Sequence, residues 1–86
     1  DHSSVNALAE EDIPEGCEAV RTNIPGSVWK VLVKEGQKVE KGESIMVLES
    51  MKMEFAISAT VSGTVEKIYL EPGDQVDAGQ LAICIK

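Results

Sequence analysis

The sequence predicts an all-β domain, a flattened β-barrel or sandwich of two pseudo-twofold-related four-stranded halves, and three observations carry that prediction. From about Glu18 onward the chain consists of short runs of Val, Ile, Leu and Thr separated by Gly at intervals of 6 to 21 residues. No stretch keeps apolar residues at i, i+3, i+4 and i+7 for three turns, as an amphipathic helix requires. The chain also repeats itself, because at a shift of 37 residues positions 18–49 lie over 55–86 without a gap.

Residues 1–17 precede the repeats. They are acidic, show no apolar period of either kind and end in Pro14, Gly16 and Cys17, which predicts a flexible acidic tail or linker. The domain proper is expected over 18–86. Within it the shift pairs Ala19 with Ala56, Gly26 with Gly63, Val28 with Val65, Lys30 with Lys67, Gly36 with Gly73, Val39 with Val76 and Gly42 with Gly79. The glycine pairs share roles: Gly26 and Gly63 precede a strand, and the other two pairs sit at turns. Two units of about 32 residues are each too small to hold a core, so they must pack their apolar faces together. Alternation assigns Val20, Val28, Val31, Val33, Val39, Met46 and Leu48 to that core from the first unit. From the second it assigns Ile57, Val65, Ile68, Leu70, Val76, Ile83 and Ile85. Trp29 is expected at the edge of the core rather than as a surface docking residue.

Between the repeats lies Ser50-Met51-Lys52-Met53-Glu54. A hairpin centred on Met51-Lys52 sets Ser50 opposite Met53, Glu49 opposite Glu54, Leu48 opposite Phe55 and Met46 opposite Ile57. The last two pairs are apolar and face the core, while the glutamates face water; a slip of one residue would bury the glutamates. By symmetry the matching place in the other half is where residues 18 and 86 meet, at the opposite pole.

The tip is poorly built for folding. A two-residue hairpin loop favours turn types with positive φ, which Asn-Gly tolerates and Met-Lys does not. Exposed methionines have nothing to pack on, and facing glutamates repel slightly. A segment that departs from the local rules in this way serves something outside the domain. An exposed lysine amine is almost wholly protonated at neutral pH, so Lys52 does not act unaided as a nucleophile. It is instead suited to be an attachment point, with an acylatable amine on a flexible stem above a rigid β scaffold.

Composition narrows the partners. Eight basic against 15 acidic residues give a net charge of −7, the wrong sign for nucleic acid or an anionic membrane. No run approaches the roughly 18 apolar residues of a membrane span. Cys17 and Cys84 lack the spacing of a zinc pair and read as plain thiols, Cys84 as a small core residue, which suits a reducing, cytoplasmic compartment. His2 has no ligand partner at metal-binding spacing, and no Ser/His/Asp set or phosphate-cradling glycine loop stands out.

With these residues in view, Glu49-Ser50-Met51-Lys52-Met53-Glu54 resembles the attachment motif of biotinyl (biotin carboxyl carrier, BCCP) domains, a likeness that extends over about 18–86 and implies the barrel-sandwich hybrid fold. The resemblance implies biotin on Lys52, joined by a biotin protein ligase. It implies an arm that carries carboxylate from a biotin carboxylase site, charged with ATP and bicarbonate, to a carboxyltransferase site of an ATP-dependent ligase. It makes Met51 and Met53 the flanking recognition residues and Glu49 a residue that helps the ligase recognise the tip, with Ser50 and Glu54 completing the motif. Ser50 stands where the family more often has Ala. Pro25-Gly26-Ser27-Val28-Trp29-Lys30 together with Ser50 is most similar to the biotinyl domains of urea carboxylases and urea amidolyases. Two rivals remain: a lipoyl carrier of a 2-oxoacid dehydrogenase complex, against which Met51 and Met53 argue, and an unmodified structural adaptor, which needs no lysine at the tip.

Overall fold

The structure, a computed structural model, describes residues 13–86. Among these the chain forms β1 (Glu18–Arg21), β2 (Gly26–Val31), β3 (Lys38–Val39), β4 (Ser44–Ser50), β5 (Met53–Ser58), β6 (Gly63–Ile68), β7 (Gln75–Val76) and β8 (Leu81–Ile85). They build two four-stranded antiparallel sheets with strand orders β1-β8-β6-β3 and β5-β4-β2-β7. The 37-residue shift carries β1 to β4 onto β5 to β8 and so carries the first sheet onto the second, strand for strand. Each sheet takes two strands from each repeat. The two repeats therefore interlock: each forms one ladder of its own, β2–β4 or β6–β8, and neither can complete a sheet without the other.

The symmetry reaches individual pairs. Val20 faces Ile83 as Ile57 faces Met46, and Val28 faces Leu48 as Val65 faces Ile85. The bulges match too: β2 is irregular between Val28 and Lys30, and β6 between Val65 and Lys67. So do the turns. Lys34 N–H donates to Gln37 Oε1 (3.1 Å) as Glu71 N–H does to Asp74 Oδ2 (2.9 Å), and Glu40 N–H donates to Glu43 Oε1 (3.0 Å) as Asp77 N–H does to Gln80 Oε1 (2.9 Å). Such side-chain bonds occupy backbone donors that a tight turn leaves unpaired.

Gly26 and Gly63 do more than open a strand. A Cβ on Gly26 would lie 2.5 Å from the Glu49 carbonyl oxygen, and one on Gly63 would lie 2.6 Å from that of Lys86. Each lets β2 or β6 approach the neighbouring backbone closely. Gly26 does so behind the β4–β5 hairpin, and Gly63 behind the last residue of the chain. The two-fold relation thus exchanges the hairpin with the region where Glu18 and Ile85 pair.

The core lies between the sheets, and twelve of the fourteen expected members are buried in it. Val31 and Ile68, two-fold mates at strand ends, are half-buried and pack against it. Alternation missed Ile45, Ala59, Leu81, Ala82 and Cys84, all buried. Ile45, Leu81 and Ala82 lie at the bulges of β4 and β8, where a shift lets consecutive residues face inward, whereas Ala59 continues the alternation of Ile57 past the end of β5. Cys84 has a different cause. It points away from the intersheet core and is covered by Tyr69, whose hydroxyl lies 3.8 Å from its sulfur, and by Cys17. Of the expected tail, residues 1–12 lie outside the described residues. Residues 13–17 form a turn closed by Cys17 N–H to the Pro14 carbonyl (3.2 Å), with Cys17 half-buried.

Trp29 corrects an expectation. It is 46% exposed at the β2 bulge and not part of the core edge. The expectation rested on the large amphipathic ring; alternation from buried Val28 turns Trp29 outward, and the bulge sets it beside Lys30 on the outer face.

Candidate functional site at the β4–β5 hairpin

β4 and β5 pair in the register that keeps the glutamates in water: Ser50 with Met53, Glu49 with Glu54, Leu48 with Phe55 and Met46 with Ile57. Met46 and Leu48 are fully buried and Ile57 is 4% exposed, which fixes the hairpin to the body of the domain. Burying side chains of this size contributes about 1.5–3 kcal/mol each. Phe55 departs from the expected buried pair. It faces Leu48 but is 37% exposed, because β5 is the edge strand of its sheet and no strand among the described residues pairs beyond it.

The turn has both central residues in the left-handed region, Met51 at φ 53° and Lys52 at φ 65°, and they are the two positive-φ residues other than glycine among those described. This is the backbone of a type I′ turn, whose twist matches that of the strands it joins. Residues with a Cβ take it at a cost of about 1 kcal/mol or more each. The cost is met by the register below the tip rather than by the tip itself. Strands that could not slip hold a turn that Met-Lys would not choose.

The result is presentation. Lys52 is exposed at the apex, Met51 is 91% and Met53 60% exposed, and Glu49 and Glu54 stand exposed side by side one step down. Ser50 is half-buried, its Cβ 3.2 Å from where a Cβ on Gly26 would lie. All six residues singled out in the sequence are thus gathered in one hairpin. The part that sequence reasoning missed is Gly26, whose bare backbone lets β2 seat against Glu49 and Ser50; its two-fold pairing with Gly63 was the available signal.

The site is no catalytic cleft. A protonatable amine on a long stem, flanked by apolar side chains and held at a fixed turn, gives one chemical opportunity, acylation of Nζ. The fold and the hairpin together define a carrier domain of the swinging-arm class. The chain belongs to the biotin and lipoyl attachment family, whose model, described as "Biotin-requiring enzyme", matches residues 13–85. It is 40% identical over 77 residues to urea amidolyase of Saccharomyces cerevisiae, covering 90% of this chain and 4% of that protein. It is 44% identical over 68 residues to the biotinylated protein TB7.3 homolog of Mycobacterium leprae, covering 79% of this chain and 96% of that one. The crystal structure of Kluyveromyces lactis urea carboxylase contains a matching region with a TM-score of 0.82 and 36% identity, over 87% of this chain and 7% of that one. The chain spans about one twentieth of the length of the urea amidolyases it matches. It is a biotinyl carrier domain, and biotin rather than lipoate is its cofactor. No helix among the described residues is long and apolar enough to cross a membrane.

Proposed function

We propose that Lys52 is the residue to which biotin is joined, as an amide made by a biotin protein ligase. The loaded domain then serves as the carboxyl carrier of a larger biotin-dependent carboxylase. The observation that supports this most is the exposure of Lys52 at the apex of a strained turn that the rest of the hairpin holds in place. The site fits the group: the amine is open to solvent, and methionines on either side offer an apolar bed.

Biotin, once attached, supplies a ureido nitrogen that accepts carboxylate at an ATP- and bicarbonate-dependent biotin carboxylase site and releases it at a carboxyltransferase site. The chain's own residues do the rest. Lys52 gives the amide nitrogen and four methylenes of reach. Met51 and Met53 present apolar surface to the ligase and to the acceptor sites, and Glu49, Ser50 and Glu54 complete what the ligase reads. Acylation removes one positive charge from a chain already at −7. By itself the domain catalyses nothing; tethering raises its effective concentration at both sites.

The parent enzyme we assign is a urea carboxylase or urea amidolyase, on the likeness to the yeast proteins. A cytoplasmic setting agrees with two unpaired thiols that lie close together. The test is carboxyl transfer in trans. Biotin-loaded chain, given a biotin carboxylase, ATP and labelled bicarbonate, should take up label, and the carboxyltransferase part of a urea carboxylase should then pass the label to urea. Loaded chain that stays unlabelled would refute the carrier role, and label passed to another acceptor in preference to urea would refute the assigned parent.

A further inference from the structure

The two-fold symmetry is broken on the outer faces of the sheets, and the break leaves one face open. In the sheet β5-β4-β2-β7, Met46 and Leu48 are fully buried, so Val47 between them points outward, as does its cross-strand partner Lys30. Lys30 Nζ lies 4.4 Å from the centroid of the Trp29 ring, which puts Trp29 on the same face. Leu32, one residue past Val31 and 43% exposed, extends it. The counterpart of Val47 in the other sheet is Cys84, fully buried beneath Tyr69 and Cys17. At Val47, which is half-buried, the place of Tyr69 is taken by Leu32, whose N–H donates to the Ile45 carbonyl as that of Tyr69 does to Ala82 but which carries no ring. The position matching Cys17 is Glu54, an exposed carboxylate in the hairpin.

The open face continues up to the tip. One row closer to Lys52, Glu54, Glu49 and Ser27 stand side by side across β5, β4 and β2. An aromatic and aliphatic floor thus meets two adjacent carboxylates directly beneath the lysine. Such a surface complements a protein that is apolar opposite Trp29 and cationic opposite the glutamates. The position of the face says which protein. An enzyme that acylates Lys52 must draw Nζ itself into its active site on a stem of four methylenes, so its surface must rest against the hairpin and what adjoins it. A site that works on the far end of a long acyl arm has no such need.

We infer that the outer face of β5-β4-β2-β7 is the surface on which the biotin protein ligase docks. Trp29 is the apolar anchor and Glu49 and Glu54 face arginine or lysine side chains of the ligase. The inference rests on Lys52 being the attachment site.

The test is the kinetics of biotin transfer by a biotin protein ligase to the 86-residue chain, with thermal melts confirming that each variant is folded. Trp29→Ala should lower kcat/KM by about tenfold, mainly through KM, as expected when an interface aromatic is truncated. Glu66→Ala, the two-fold counterpart on the closed face, should change nothing. KM should rise with added salt for the unaltered chain and less steeply for Glu54→Gln. A folded Trp29→Ala chain modified as fast as the unaltered one would overturn the inference. So would a Trp29-dependent dimer in sedimentation equilibrium, which would give the face to a second copy. If the unaltered chain takes no biotin at all, the attachment site itself is wrong, a result distinguishable from either of these.

Discussion

Met51 and Lys52 hold left-handed backbone that residues with a Cβ avoid, at the apex of the hairpin and at the proposed attachment site. Relieving that strain should separate stability from recognition. Met51→Gly is expected to raise the stability of the fold by about 1 kcal/mol, read from urea unfolding, while slowing biotin transfer. A variant that gains stability and is modified as fast as before would show that Met51 is not read by the ligase. Lys52→Arg should keep the melting curve and take no biotin, because a guanidinium is not acylated as the amine is. Cys17 offers a check away from the tip. Its partial burial, with the hydrogen bond to Cys84 next, pushes the thiol up from its ordinary range, so less thiolate is present at any given pH. Iodoacetamide should therefore alkylate Cys17 more slowly than a free cysteine near neutral pH, with the gap closing as pH rises. Equal rates near neutrality would contradict the packing of Cys17 against Cys84.

The hairpin carries the proposed attachment site, and its register was legible in the sequence because only one alignment keeps Glu49 and Glu54 in water while burying Leu48 and Met46. The same rule misplaced Phe55, since alternation tells which face a residue takes but not that its strand lies at a sheet edge. Trp29 was misplaced on its chemistry and not by alternation, which from buried Val28 turns it outward. Cys84 was readable as a small core residue from its chemistry, but not its cover, which comes from Cys17 and Tyr69. The glycines give the element-scale prediction. Gly63→Val drives a side chain into the Lys86 carbonyl, and Gly26→Val drives one into the Glu49 carbonyl. Each should cost about 1–3 kcal/mol in urea unfolding. The Gly26 variant should also slow biotin transfer because it displaces the hairpin. Unchanged stability in both would show that the close approach of β2 and β6 is not required.

For the molecule as a whole, the 37-residue repeat was the most informative signal. Applied strand by strand to the structure it carries one sheet onto the other, with matching registers, bulges and turn hydrogen bonds. What it could not give was the exchange of strands between repeats, because a shift compares positions and says nothing of which ladders they join. It also could not show where the symmetry fails. The failures fall in two places, the first being Met51-Lys52-Met53, the proposed site, at one pole against the paired strands β1 and β8 at the other. They are informative in the second, the closed face over Cys84 against the open face at Trp29. The two-fold scaffold holds a single lysine out from one end of a thin, acidic body and leaves everything else about the chemistry to the arm it carries. The direct test is the intact mass of the chain, followed by peptide mapping, after incubation with biotin protein ligase, ATP and biotin. A single biotinyl increment on the peptide containing Lys52 is expected. No increment on a folded chain, or an increment at another lysine, would contradict the account.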